Sequence, residues 1–97
     1  MLTHVVLFKL KDRRPESIAE AKSRLDSLAS GIETLRSIEI GTDIVRSGRS
    51  YDIVLITRFD DLDGYQIYRE HPIHLPVLAY FHDAAESTVA VDFESEG

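Results

Sequence analysis

The sequence contains no cysteine and no tryptophan, and only one methionine and three prolines. Without cysteine it has neither disulfides nor thiolate ligands for a metal. This suits a reducing compartment, and the cytoplasm is the expected location. No apolar run approaches the ~20 residues of a membrane-spanning helix, so no membrane partner is expected. The opening MLTHVVLFKLK has no basic leader and no small-residue cleavage site, and reads as a strand rather than a signal peptide. Positive charge is scarce as well. Eleven lysines and arginines stand against seventeen aspartates and glutamates, a formal net charge of -6. Nucleic acid and anionic lipid are held mainly by basic surface, so no nucleic-acid partner is expected. The mild cluster KLKDRR at 9–14 reads as a solvated strand end and loop.

What is present has the order β-α-β-β-α-β in one domain spanning 1–97. The first strand, about Thr3–Lys11, places His4, Val6, Phe8 and Leu10 on one face and Val5, Leu7 and Lys9 on the other. A helix over about Pro15–Ser30 follows, with Pro15 in its first turn and Gly31 as its stop. Ile18, Ala21, Leu25, Leu28 and Ile32 form its apolar stripe. The second strand, about Leu35–Arg46, aligns Ile38, Ile40 and Ile44 on one face. RSGRS at 46–50 is a turn, and the third strand covers about Tyr51–Phe59. Asp60 or Asp61 can cap a short helix to about Glu70. Another helix runs to about Ala85, and a last strand covers Thr88–Phe93.

The first and third strands are apolar on both faces, whereas the second and fourth are apolar mainly on one. Central and edge strands differ in this way. The implied architecture is α+β, a ferredoxin-like four-stranded antiparallel sheet of order 4-1-3-2. Its helices cover one face only, which leaves Val5, Leu7, Val54 and Ile56 on the other. An exposed apolar patch of this kind marks an interface, and two-fold pairing lets one patch cover itself. A homodimer packed sheet to sheet is expected.

YREHPIHLPV at 68–77 holds the densest chemistry. Pro72 keeps His71 out of the helical region, so a helix ends near Glu70. Pro76 fits as the first residue of a new helix. Residues 71–75 therefore form a corner, with His74 beside a helix N-terminus and Tyr68 one turn before the break. His4 points toward the space under the helices, so His4, Tyr68 and His74 can meet around one small cavity.

THVVLFKLK at 3–11, YDIVLITRFDDLDGYQIY at 51–68 and HPIHLPV at 71–77 together resemble the stress-responsive α/β barrel (Dabb) family. The likeness covers nearly the whole chain. It implies a dimeric α+β barrel. It also implies a small apolar or aromatic ligand, as in polyketide cyclases of the olivetolic acid cyclase type. On that resemblance the acid/base positions are His4, Tyr68 and His74. His71 and Asp52 are binding or site-shaping, Asp52 standing where the cyclase has a histidine. Some relatives hold magnesium on main-chain carbonyls, which correspond to those of Ala29, Ile32 and Leu35; no other cofactor is implied.

Three functional readings follow. In the first, His74 is a base, Tyr68 an oxyanion donor and His4 a holder of the ligand's other polar end, in an aldol cyclisation. In the second, the corner is a latch in a stress-associated binding or structural oligomer without catalysis. The third, a haem or metal centre, is weakened because Pro72 breaks the helical spacing of His71 and His74.

Overall fold

The computed structural model describes residues 1–96; Gly97, the last residue of the expected 1–97 domain, lies outside them. Strand β1 spans Leu2–Leu10 and helix α1 spans Pro15–Asp26, extended by a 3₁₀ turn at Ser27–Ala29. Strands β2 (Ser37–Thr42) and β3 (Ile53–Phe59) follow, then α2 (Leu62–Glu70), α3 (Leu75–Ala84) and β4 (Ala85–Glu94). The antiparallel sheet has the order β2-β3-β1-β4, which is the expected 4-1-3-2 read from the other edge, and the fold is ferredoxin-like.

The helical stripe reads through to the core. Ala21, Leu25, Leu28 and Ile32 are buried against Val6, Phe8, Leu10, Ile53, Leu55 and Phe59. Pro15 sits in the first turn of α1, where its missing N–H has no intrahelical partner to lose. Gly31 stops the helix at φ +91°, a backbone conformation that suits glycine. A Cβ there would come within 2.6 Å of Ile73 Cδ1, so the corner rests directly on the end of α1.

Strands β2 and β3 begin two residues later than expected, and three other boundaries change what the elements present. Strand β2 ends at Thr42, so Ile44 leaves the inner face and is 89% exposed. A turn closes there instead: the Arg46 amide donates to Asp43 Oδ2 (2.7 Å), and Arg46 takes φ +58°. Helix α3 begins at Leu75, which makes Pro76 its second residue. It passes into β4 without a loop, so β4 starts at Ala85 rather than Thr88.

Register sorts the sheet into two faces. His4 pairs with Thr57 and Asp92, Val6 with Leu55 and Ala90, and Phe8 with Ile53 and Thr88, all turned toward the helices. On the other face Val5 pairs with Ile56 and Val91, and Leu7 with Val54 and Val89. Leu7, Val89, Val91 and Phe93 are exposed there. The uncovered apolar row therefore extends beyond Val5, Leu7, Val54 and Ile56 onto β4.

Candidate active site

Between the inner face of the sheet and the three helices lies a cavity of about 270 Å³. Its lining changes character along β1. At one end Phe8 stacks on Phe81 with ring centroids 4.2 Å apart, beside Leu25, Leu28 and Leu55. At the other end are His4, Tyr65, Tyr68, Arg69 and His74. His4 and Phe8 are four residues apart on a strand, about 13 Å at the usual rise. The cavity thus has an apolar end and a polar end.

Helix α2 supplies the tyrosines. Asp61 caps it by accepting from the Gly64 amide at 2.8 Å. The helix closes at His71, whose extended backbone (φ -68°, ψ 138°) is what a following proline demands. Tyr65 and Tyr68, one turn apart, share the face toward the sheet. The Tyr65 ring lies 4.9 Å from that of His4, and the Tyr68 ring lies 4.3 Å from that of His74.

His74 is oriented through its backbone surroundings. Its Nδ1 lies 3.1 Å from the Arg69 carbonyl, which can only accept, so Nδ1 carries the hydrogen. Burial lowers its pKa, more than the Arg69 carbonyl raises it, and the neutral imidazole keeps its Nε2 lone pair. Tyr68 is 1% exposed, and its hydroxyl has no hydrogen-bond partner among the described residues. Burial, with a smaller contribution from Tyr65, raises its pKa far above the ordinary phenol value. It remains a proton donor.

His4 has a partner that sequence reasoning missed. Its Nδ1 hydrogen-bonds Asp92 Oδ1 across the β1–β4 pair. A carboxylate partner fixes both the tautomer and the ring plane of a histidine. The available signal was Asp92 on the inward row of the last strand. Tyr65 and Arg69 were also missed; they share the Tyr68 side of α2. Burial and the charge of Asp92 raise the Tyr65 pKa, and Arg69 opposes this.

Thr57 stands beside His4 in the sheet, with its hydroxyl buried and unpartnered among the described residues. An unpaired buried hydroxyl is destabilising, and valine has nearly the same shape. Thr57→Val should raise the unfolding free energy by about 1 kcal/mol in urea titration. A loss of stability would contradict this account.

The two residues expected to bind or shape the site, His71 and Asp52, do not line the cavity itself. His71 accepts the Ile73 amide on Nδ1 (3.1 Å) and turns Nε2 toward Glu33 (3.8 Å), so it ties the corner and does not line the cavity. Asp52 lies farther from the cavity. It is fully buried at the far end of β1, where it accepts from the Leu10 amide (2.8 Å), Arg13 Nε (2.9 Å) and Arg46 Nη1 (2.8 Å). Every one of those bonds is structural, and Asp52 is absent from the cavity lining. The carbonyls of Ala29, Ile32 and Leu35 lie in the turn that follows α1. The Ile32 carbonyl accepts the Leu35 amide (3.2 Å).

A one-sided ferredoxin-like sheet, an apolar cavity and a Tyr-x-x-His-Pro-x-His corner together define an α+β barrel protomer. The family profile described as Stress responsive A/B Barrel Domain matches residues 2–95, and the chain belongs to that family. An uncharacterised protein of Streptomyces coelicolor is 32% identical over 97% of this chain and 99% of its own length. Two solved structures are similar. A dimeric protein of unknown function from Bacteroides fragilis has 31% identity and a TM-score of 0.81, covering 97% of this chain and 95% of that one. A dimeric ferredoxin-like protein of unknown function from Thermobifida fusca has 27% identity and a TM-score of 0.86, with coverage of 97% and 90%. No helix among the described residues is long and apolar enough to cross a membrane.

Proposed function

We propose that this protein is a cofactor-independent acid/base enzyme. It takes a small, largely apolar carbonyl compound and removes a proton next to the carbonyl, the step that opens an aldol cyclisation. The observation that carries this reading is the buried, unpartnered Tyr68 hydroxyl beside the neutral His74 imidazole in one cavity. His74 Nε2 accepts the proton, and the C–H electron pair becomes an enolate. Tyr68 donates to the enolate oxygen. When the enolate carbon attacks a second carbonyl, the new alkoxide takes the proton back from His74. His4, whose Nδ1 donates to Asp92, offers its Nε2 as an acceptor to a hydroxyl at the ligand's other polar end. Each protomer carries its own cavity, and the protein works as a homodimer through the outer face of the sheet. The cytoplasm is the proposed setting.

Acetophenone in deuterium oxide tests the chemistry without knowledge of the natural substrate. Wild type should speed exchange of the methyl protons, followed by NMR. Tyr68→Phe should slow exchange by about a hundredfold or more, as loss of an oxyanion donor does elsewhere. It should raise thermal stability slightly and not lower it, because the lost hydroxyl is buried and has no hydrogen-bond partner among the described residues. His74→Ala should slow exchange by at least a similar factor. Exchange at the buffer rate in wild type, or at the wild-type rate in both variants, would remove this mechanism. Binding without exchange would select the stress-associated binding protein instead.

A further inference from the structure

Arg69 has a position that the proton chemistry leaves unused. It lines the cavity, and it also lines a groove outside it with Gln66, Glu70 and Leu75. Leu78 is the other residue common to both spaces, so Arg69 and Leu78 form the mouth. No carboxylate lies within ion-pair distance of the Arg69 guanidinium among the described residues, although aspartate and glutamate outnumber lysine and arginine in this chain. Glu70 is its neighbour in the groove without pairing with it. Asp92, the carboxylate at the polar end, is engaged by His4. A guanidinium that has Tyr65 as a hydrogen-bond neighbour but no carboxylate partner, at the rim of the cavity, is suited to a planar anion that enters apolar end first.

We infer that Arg69 is an anion subsite at the mouth, and that the ligand is a small carboxylate with its apolar part turned toward Phe8 and Phe81. This assignment rests on the cavity being the ligand site proposed above. Size agrees with it. At about 30 Å³ per water the cavity holds roughly nine waters, and benzene is known to fill a void of about 150 Å³. One ring with a short carboxylate arm fits. The arm then passes Tyr68 and His74 on its way to Arg69, so a ketone carried between ring and carboxylate lies beside the base and the oxyanion donor.

Phenylacetate and phenylacetamide have the same shape and differ in charge, so titrating each into the full chain by NMR isolates the subsite. Wild type should bind phenylacetate at least tenfold more tightly, the scale of one charged hydrogen bond. Arg69→Gln should erase that preference and leave phenylacetamide binding unchanged. Arg69 is exposed, so the variant should fold. Equal binding of the two probes by wild type, or a preference that survives Arg69→Gln, would overturn the subsite while the cavity reading stands. Binding of neither probe would overturn both.

Discussion

Asp52→Ala is expected to lower the unfolding free energy by about 3 kcal/mol, although the residue touches no part of the cavity. A fully buried carboxylate here accepts from a buried amide and two guanidinium groups. Its removal orphans the Leu10 N–H and releases Arg13 and Arg46 together. Breaking a buried pair costs about 3–5 kcal/mol, and the partial exposure of both arginines places this case at the lower end. For a domain of this size each kcal/mol shifts the melting temperature by about 4–8 °C, so the loss should be plain in a thermal scan. The same residue sets an acid limit. Burial alone would raise its pKa, but the Leu10 amide, Arg13 and Arg46 outweigh that and hold it below the ordinary 3.8. Between the folded and unfolded values the unfolded chain binds the extra proton, so stability rises with pH there. The contribution is complete above 3.8 and fades as pH falls through the lowered folded value. Urea titrations of wild type and Asp52→Asn should therefore converge in acid. An alanine variant within 0.5 kcal/mol of wild type, on the ordinary scale of surface changes, would refute the clasp.

Val91→Asp should convert a homodimer into an 11.0 kDa monomer in sedimentation at micromolar concentration. Val91 lies opposite Val5 and is 62% exposed in the single chain, amid Leu7, Val89 and Phe93. Two-fold pairing would place two new carboxylates in one apolar seam. Desolvating each costs several kcal/mol, more than the gain from burying a valine. The unfolding free energy should then lose its dependence on protein concentration. A wild-type monomer, or a variant that remains dimeric, would show that this face is not the seam.

The sheet order was legible because Val5, Leu7, Val54 and Ile56 mark strands apolar on both faces, a property of central position. The corner was legible because proline restricts both its own φ and the preceding residue. The Asp92 partnership was not. It depends on which residue of β4 lies opposite His4, and that register is decided by the whole strand pair. The surroundings of Asp52 were not legible, because Leu10, Arg13 and Arg46 reach this carboxylate from three separate segments. Ile44 continued the alternation of Ile38 and Ile40, and nothing in that alternation shows that an Asp43–Arg46 turn ends the strand.

Strand β4 alternates between the two faces of the sheet, with Val89, Val91 and Phe93 in the exposed apolar row and Thr88, Ala90 and Asp92 on the side of the cavity. A slip of one residue against β1 would set Val91 or Phe93 opposite His4 and turn Asp92 into the apolar row. Gain or loss of a single residue in this segment would therefore break the apolar row and the His4–Asp92 pairing together. Lineages that share this fold should be able to vary β4 by substitution, or by insertions in pairs, while odd-numbered length changes are purged there.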